Sequence, residues 1–572
     1  MATSALEFAY YDRLHAEKYR DTGQTFEQHA TSLADRLSTD KLHAEKLNSM
    51  FLGRKFLAAG RVQAAMGARD REVSAFNCSV SRTIDDSMDS IMDALSEAAK
   101  ILRLGTGIGY NFSKLRPKGA LIKKLQTQSS GPLSFMKIFD VMASTIASSG
   151  HRRGAQMGIM NIDHPDIEEF IDAKLTQGAY RQFNFSVGIT DAFMFALEQD
   201  ADWPLVFNGR VYRIVKAKYL WEKVMRNAYN SAEPGVIFID KLNNDNNLYY
   251  CENIDATNPC AEQPLPPNGL CLLGSFNLTK YVYRAQDGTH NFNFDTFIPD
   301  IYNIVEAYDN VFERSTYAIE AHKKEALSKR RMGIGLTGIS NAIELICGQA
   351  SYGNEKFIRT LNLISRTLSV HTYMSSTMLA KKRGSFELFD RNKYVEAPFL
   401  KTMPDKVVDH IYKYGMRNSH LLSYAPCGTI SQTAGNVSSG VEPIFYHSVS
   451  RDVFMKDGKE NVTLMDYNVR NFEFYGKTLE ECSIPEHINV AAICQKHCDS
   501  AVSKTINVAS TCPMDQYEKV YIDAFKAGSK GITVFRPTEI RGAVITENKE
   551  AANAKEFKYG ESGSCVDGSC AL

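Results

Sequence analysis

The chain has 572 residues, enough for several average domains or for one large catalytic domain with extensions. Its 44% hydrophobic and 23% charged residues are ordinary for a soluble globular protein, and 66 basic against 66 acidic residues give a formal charge of zero, so no global pull toward nucleic acid or an anionic membrane is expected. No stretch approaches about 18 apolar residues, the first residues lack the apolar core of a signal peptide, and 12 cysteines are too sparse for a secreted disulfide scaffold, which makes a reducing cytoplasm the expected setting.

In chain order, residues 1 to 50 read as helical, with charged and apolar residues interleaved at helical spacing in "FEQHATSLADRLSTDKLHAEKLNSMFL". From 51 onward strands and helices alternate, which predicts an α/β architecture with a substantially buried sheet. "IEEFIDAKL" and "YLWEKVMRNAYNSA" suit helices, and "GVIFID" (235–240) suits a buried strand. In "RQFNFSVGITDAFMFALEQD", Phe183, Phe185, Val187 and Ile189 alternate with Asn184, Ser186, Gly188 and Thr190, after which Thr190 or Asp191 can cap a helix. "EALSKRRMGIGLTGISNAIELI" is expected to be helical and "GITVFR" (531–536) to be a strand. Residues 541–572, polar and rich in Gly and Ser, read as a mobile tail.

Five stretches could carry chemistry. "RLGTGIGYNFSKLRPKG" (103–119) is glycine-rich but lacks the lysine and hydroxyl pattern of a phosphate loop, and a tight turn into a strand explains its glycines equally well. "ATNPCAEQPLPPNGLCLLGSFNL" (256–278) sets Cys260 and Cys271 eleven positions apart, with Glu262 two after the first; on residues alone this leaves open a disulfide, half of a metal site, or thiol chemistry on a substrate. In "YAPCGTISQTAGNVSSG" (424–440), Pro426, Cys427, Gly428, Thr429 and Ser431 offer small residues, amides and hydroxyls at an expected helix start, suited to a phosphate or to ordinary capping. "ECSIPEHINVAAICQKHCDSAV" holds Cys482, His487, Cys494 and Cys498. Cys494 and Cys498 are expected i, i+4 on a helix whose face also needs apolar residues, so packing is favoured over zinc and no metal site is assigned. Finally, Cys565 and Cys570 in "GSCVDGSC" sit among residues that cannot bury them, which fits a dithiol that visits another site and exchanges its disulfide there.

Taken in order, "RRGAQMGIMNIDHPDIEEF", "FNFSVGITDAF", "NPCAEQPL" with "LCLLGSFNL", "APCGTISQTAGNVSSGVEPIF", "DSAVSKTINV" and "KGITVFRP" resemble the ribonucleotide reductases, and among them the class II, adenosylcobalamin-dependent enzymes. The resemblance runs from 51 to 540 and again at the tail. It implies a ten-stranded α/β barrel of two five-stranded halves with a central finger loop over 51–540, preceded by the short helical region 1–50 and followed by the redox tail 541–572. By resemblance Cys260 becomes a thiyl radical, Asn258 and Glu262 are its neighbours at the ribose with Glu262 as general base, and Cys78 and Cys271 supply reducing equivalents. Cys565 and Cys570 would reduce that pair by exchange, and a thioredoxin or glutaredoxin-like protein would restore them.

The same resemblance implies a substrate phosphate site at Cys427, Gly428, Thr429, Ile430 and Ser431. It also implies a dNTP or ATP specificity effector bound by Asp85 and Arg116, and a loop over 148–158 in which Arg152, Arg153 and Gln156 read that effector. Cys427 stands where many relatives have Thr, and Ala59 to Val62 depart from the familiar substrate-facing segment. A homodimer is compatible with the resemblance. The rival is a class I large subunit, which takes its radical from a metal-bearing partner through paired tyrosines; "GITVFRPTEIRGAV" has no such pair, and Tyr249 and Tyr250 read as structural. From another class, a non-catalytic nucleotide-binding regulator would be expected to have lost Cys260 or Glu262, and both are present.

Overall fold

The computed structural model describes residues 2–146, 155–176, 178–455 and 458–537. It opens with three helices, Ala2–Tyr19, Phe26–Leu37 and Lys41–Leu52. Thr25 and Asp40 cap the second and third, each side chain accepting an amide of the first turn.

The strands that frame the interior are β1 (Phe56–Ala58), β2 (Cys78–Val80), β3 (Gly107–Asn111), β4 (Gln156–Asn161), β5 (Phe183–Ile189), β6 (Gly235–Phe238), β7 (Ala256–Thr257), β8 (Pro264–Leu265), β9 (Leu270–Cys271), β10 (Leu273–Asn277), β11 (Gly333–Thr337), β12 (Thr505–Asn507) and β13 (Gly531–Phe535). The largest sheet has eight strands in the order β9-β2-β3-β4-β5-β6-β13-β12. Within it β2 to β6 run parallel, as the alternation of strands and helices predicts. β6 meets β13 antiparallel, and β13 pairs with β12 in parallel. A second sheet, β1-β10-β11, lies across a single residue, Leu272, from β9. Parallel bridges Ile334 to Leu422 and Tyr424 to Val502 carry pairing on from β11 toward the segment that leads into β12.

The side-chain pattern of β5 fixes which face is which. Phe183, Phe185, Val187 and Ile189 all join the core formed with the surrounding helices, including Trp221 and Tyr521. The intervening Asn184, Ser186 and Gly188 therefore point to the other side, because successive strand residues alternate faces. That inner side holds a small core of its own, in which Val80, Met157, Ile159 and Ile237 pack with Ala256 and Leu265.

Several local expectations are met: helices Ile167–Asp172 and Ala217–Ser231, strands β6 and β13, and Thr190 capping Asp191–Glu198 by accepting the Phe193 amide at 3.1 Å. "EALSKRRMGIGLTGISNAIELI" is a correction. It forms helix Glu320–Lys329, strand β11 and helix Ile339–Cys347. Arg330 has φ 53° and Gly338 φ 67°, so the chain turns left-handed at both ends of a five-residue buried strand. The glycines inside it serve close packing: a side-chain carbon at Gly335 would lie 2.4 Å from the Ser423 carbonyl oxygen. Among the described residues no helix is long and apolar enough to cross a membrane.

Candidate active site

β7 and β8 pair antiparallel, Ala256 with Leu265 and Thr257 with Pro264, and the six residues between them form the tip of a hairpin lodged against the inner face. Asn258 organises the tip. Its Oδ1 accepts the Gln263 amide at 2.9 Å, its own amide donates to the Gln263 carbonyl at 3.1 Å, and its carbonyl accepts the Ala261 amide at 3.0 Å. Ala261 takes φ 63°, which reverses the chain immediately after Cys260. From outside, Asn184 donates to the Pro259 carbonyl at 3.4 Å, and the Glu262 carbonyl accepts the Ser423 hydroxyl at 2.9 Å and the Ala501 amide at 3.0 Å.

Two glycines of 103–119, Gly107 and Gly109, belong to this arrangement. Gly107 and Gly109 lie in β3, where a side-chain carbon at Gly109 would stand 1.9 Å from the Thr257 carbonyl oxygen. One at Gly107 would lie 3.2 Å from Pro259 Cγ and 3.3 Å from Cys78 Sγ, so the hairpin tip and Cys78 meet over Gly107.

Cys260 at the tip is half-buried and not in a disulfide. Glu262 is 2% exposed. Asn258 Nδ2 donates to its Oε1 at 2.8 Å, while Oε2 is buried with no partner. Burial outweighs the hydrogen bonds from its own backbone and from Asn258, and the carboxyl is pushed up to about 7. A buried carboxyl poised near neutrality, with one oxygen unused, is equipped to take a proton from a ligand.

Cys78 and Cys271 are directly opposite on the antiparallel β2/β9 ladder, and the Cys78 amide donates to Cys271 Sγ at 3.0 Å. Opposed residues in such a ladder have α-carbons roughly 4.5–5.5 Å apart, inside the range a disulfide requires. Both are reduced here. Burial, the neighbouring Cys78 and the Glu262 carboxylate raise the Cys271 thiol well above its ordinary value. Cys271 is therefore paired in space with Cys78, 193 positions away, and not with Cys260.

Cys427 precedes helix Gly428–Thr433, as expected of a helix start. Its amide donates to Ser439 Oγ at 3.0 Å, and its thiol, 2% exposed, lies 3.3 Å from Ser275 Oγ on β10. Thr429, Ile430 and Ser431 are buried in the helix behind it. Glu262 is close enough to raise the Cys427 thiol, after burial itself. The hairpin carboxylate and the turn are therefore neighbours.

The remaining expected residues lie elsewhere. Asp85 lines a cavity of about 360 Å³ with Asp86, Lys114, Asn161 and His164. Arg116 is held by Asp86, Nε to Oδ2 at 2.7 Å. Gln156 opens β4 with its side-chain amide engaged inside the wall, accepting from the Tyr110 hydroxyl at 2.8 Å and donating to the Phe139 carbonyl at 3.3 Å. Arg152, Arg153, Cys565 and Cys570 lie outside the described residues. In the segment Ala59 to Val62, the Ala59 amide donates to the Leu273 carbonyl at 3.1 Å. Tyr249 and Tyr250 donate to the Lys393 and Leu388 carbonyls.

Among the described residues no group of three or more His, Cys, Asp or Glu is arranged to hold a metal ion. Cys498 falls beyond the end of helix Ile484–Lys496, so the expected i, i+4 relation with Cys494 does not form; both thiols are buried as packing groups.

A sequence model described as the ribonucleotide reductase barrel domain matches residues 76–535. The chain is 33% identical over 508 residues to the vitamin B12-dependent ribonucleoside-diphosphate reductase of Thermoplasma acidophilum, covering 83% of this chain and 63% of that one. It is 30% identical over 517 residues to the enzyme of the same name from Mycobacterium tuberculosis, covering 85% and 71%. It is 26% identical over 557 residues to the vitamin B12-dependent ribonucleotide reductase of Streptomyces avermitilis, covering 83% and 58%. With the matched region spanning the hairpin, the opposed cysteines and the 427 turn, the chain belongs to the ribonucleotide reductase barrel family.

Proposed function

We propose that this protein reduces ribonucleotides to 2′-deoxyribonucleotides for DNA synthesis by thiyl-radical chemistry, with adenosylcobalamin as cofactor and, in line with the names of its relatives, a ribonucleoside diphosphate as substrate. The observation that carries the reading is the gathering of three groups around the hairpin: a free Cys260 at its tip, the unpartnered Glu262 Oε2, and the free Cys78/Cys271 ladder pair, whose Cys78 meets the tip over Gly107. The donor set fits the cofactor, because a half-buried thiol held at a loop tip can lose a hydrogen atom to an organic radical without rearranging its scaffold. Cys260 is the residue that would meet it; when bound, adenosylcobalamin supplies the carbon-centred radical that takes the thiol hydrogen.

The chain's own groups then divide the work. The Cys260 sulfur radical forms an S–H bond as the ribose C3′–H bond breaks. Glu262 takes the 3′-OH proton on Oε2, and Asn258 holds the other oxygen. The 2′-OH leaves as water with a proton from one thiol of the Cys78/Cys271 pair, the pair's other hydrogen goes to C2′ with its two electrons as two thiols become one disulfide, Glu262 returns its proton to O3′, and Cys260 returns its hydrogen to C3′. The tail dithiol Cys565/Cys570 restores the pair by exchange and a thioredoxin or glutaredoxin-like reductant restores the tail. The substrate phosphates are assigned to the turn at 427–431. The cavity lined by Asp85, with Arg116 bonded to its neighbour Asp86, is assigned to a dNTP or ATP effector.

The two sheets are proposed to be arcs of a ten-stranded barrel: β2 to β6 form one half, and β10, β11, the 422–424 segment, β12 and β13 form the other. Support comes from the bridges at Leu422 and Val502, the antiparallel β6/β13 join and the β9/β2 join at the opposed cysteines. The test is anaerobic turnover of each ribonucleotide with adenosylcobalamin and a dithiol. Deoxyribonucleotide formation with no second protein supports the reading, and activity that appears only on adding a metal-bearing subunit overturns the choice of cofactor.

A further inference from the structure

The turn assigned to the phosphates is held by a strap that runs from Ser439 to Glu442. The Cys427 amide donates to Ser439 Oγ at 3.0 Å. Ser439 begins a tight turn closed by the Glu442 amide donating to its carbonyl at 3.0 Å. Gly440 has φ 55° there, and an added carbon would lie 2.8 Å from the Ala425 carbonyl oxygen, so the turn presses on the backbone leading into Cys427. Glu442, 6% exposed, ends the strap. Its Oε2 accepts from Lys504 Nζ, and its Oε1 accepts the Thr505 amide at 3.1 Å; Lys504 Nζ also donates to the Thr505 carbonyl at 2.9 Å.

Lys504 is equally buried and has no second carboxylate among its ion pairs within the described residues. His487, packed nearby with both ring nitrogens unpartnered, is kept neutral by burial and by the Lys504 charge. The ammonium therefore depends on Glu442, and Glu442 on it. Lys504 is itself fixed by the strand pairing in which the Ser503 amide donates to the Tyr424 carbonyl at 2.9 Å.

We propose that the buried Glu442–Lys504 pair is a positioning device for the substrate phosphates: it fixes the 439–442 strap, and through Ser439 the orientation of the Cys427 turn. This rests on the assignment of the phosphates to residues 427–431. Neither Glu442 nor Lys504 touches the ribose in this account, so their loss acts on the phosphate contribution to binding and not on the radical steps.

The test compares binding of cytidine and cytidine 5′-diphosphate to the full chain by calorimetry, together with KM, kcat and melting temperature. For Glu442→Gln and Lys504→Met we expect the affinity gained from the diphosphate to fall roughly tenfold and KM to rise by a similar factor, with cytidine binding and kcat at saturation held within about twofold. Lys504→Arg should recover most of the loss. Ser439→Ala, which leaves the ion pair intact, should reproduce the loss of the diphosphate increment and keeps the test open if a charge variant does not fold. A lowered melting temperature with an unchanged diphosphate increment would overturn the inference and leave the pair purely structural. No increment in the unmodified protein would overturn the phosphate assignment, and the inference with it.

Discussion

Replacing Glu262 by Gln separates what this carboxyl contributes to chemistry from what it costs the fold. The group is 2% exposed, and burial moves it from an ordinary 4.5 to about 7. Because the folded value lies above the unfolded one, the folded state holds this proton more tightly. The group's contribution to stability is therefore fully present below pH 4.5 and is lost as pH rises through 7. Integrating between the two values gives a destabilisation of about 1 kcal/mol at pH 5, about 2 at pH 6 and about 3 above pH 8. A glutamine does not titrate, and its Oε1 can keep the 2.8 Å bond from Asn258. Glu262→Gln should therefore be more stable than the unmodified protein by an amount that grows along that curve, while turnover falls by about 100-fold or more with loss of the base. Denaturant unfolding at pH 6 and pH 8.5 checks the stability and anaerobic turnover checks the chemistry. A variant destabilised equally at both pH values would refute the reasoning, as would one that keeps its turnover.

Cys271→Ser should reduce multiple turnover to below about 1% of the unmodified rate even with excess dithiol, and mass spectrometry after single turnover of the unmodified protein should find Cys78 joined to Cys271; sustained turnover of the variant would count against the ladder pair as reductant. Gly109→Ala places a carbon 1.9 Å from the Thr257 carbonyl oxygen and must displace the hairpin, so kcat should fall by about 100-fold or more with an unchanged far-ultraviolet circular dichroism spectrum. A kcat within about twofold of the original would show that β3 does not set the hairpin.

The residues proposed to react were reached in the sequence largely through resemblance, since the residues alone left the Cys260 to Cys271 spacing open. The strands were legible where alternation is strict, as in β5, but the alternation does not say which face turns inward. Here the aromatic face meets the helices, and the small polar face receives the hairpin through Asn184. Helical periodicity misled at 325–346 because a short, wholly buried parallel strand carries no amphipathic signal, and only the glycine punctuation at 333, 335 and 338 distinguishes it. Gly107 and Gly109 escaped for a related reason: their role is to leave room for a backbone that arrives from 150 residues away. The pairing of Cys78 with Cys271 is a register relation between distant strands, and composition cannot express it.

The central claim, that Cys260 is the hydrogen-abstracting group, is tested most directly by anaerobic turnover of a ribonucleoside diphosphate with adenosylcobalamin and a dithiol, run side by side on the unmodified protein and on Cys260→Ala. The account predicts deoxyribonucleotide from the first and none from the second, with the variant still binding substrate. Full turnover by Cys260→Ala would contradict it.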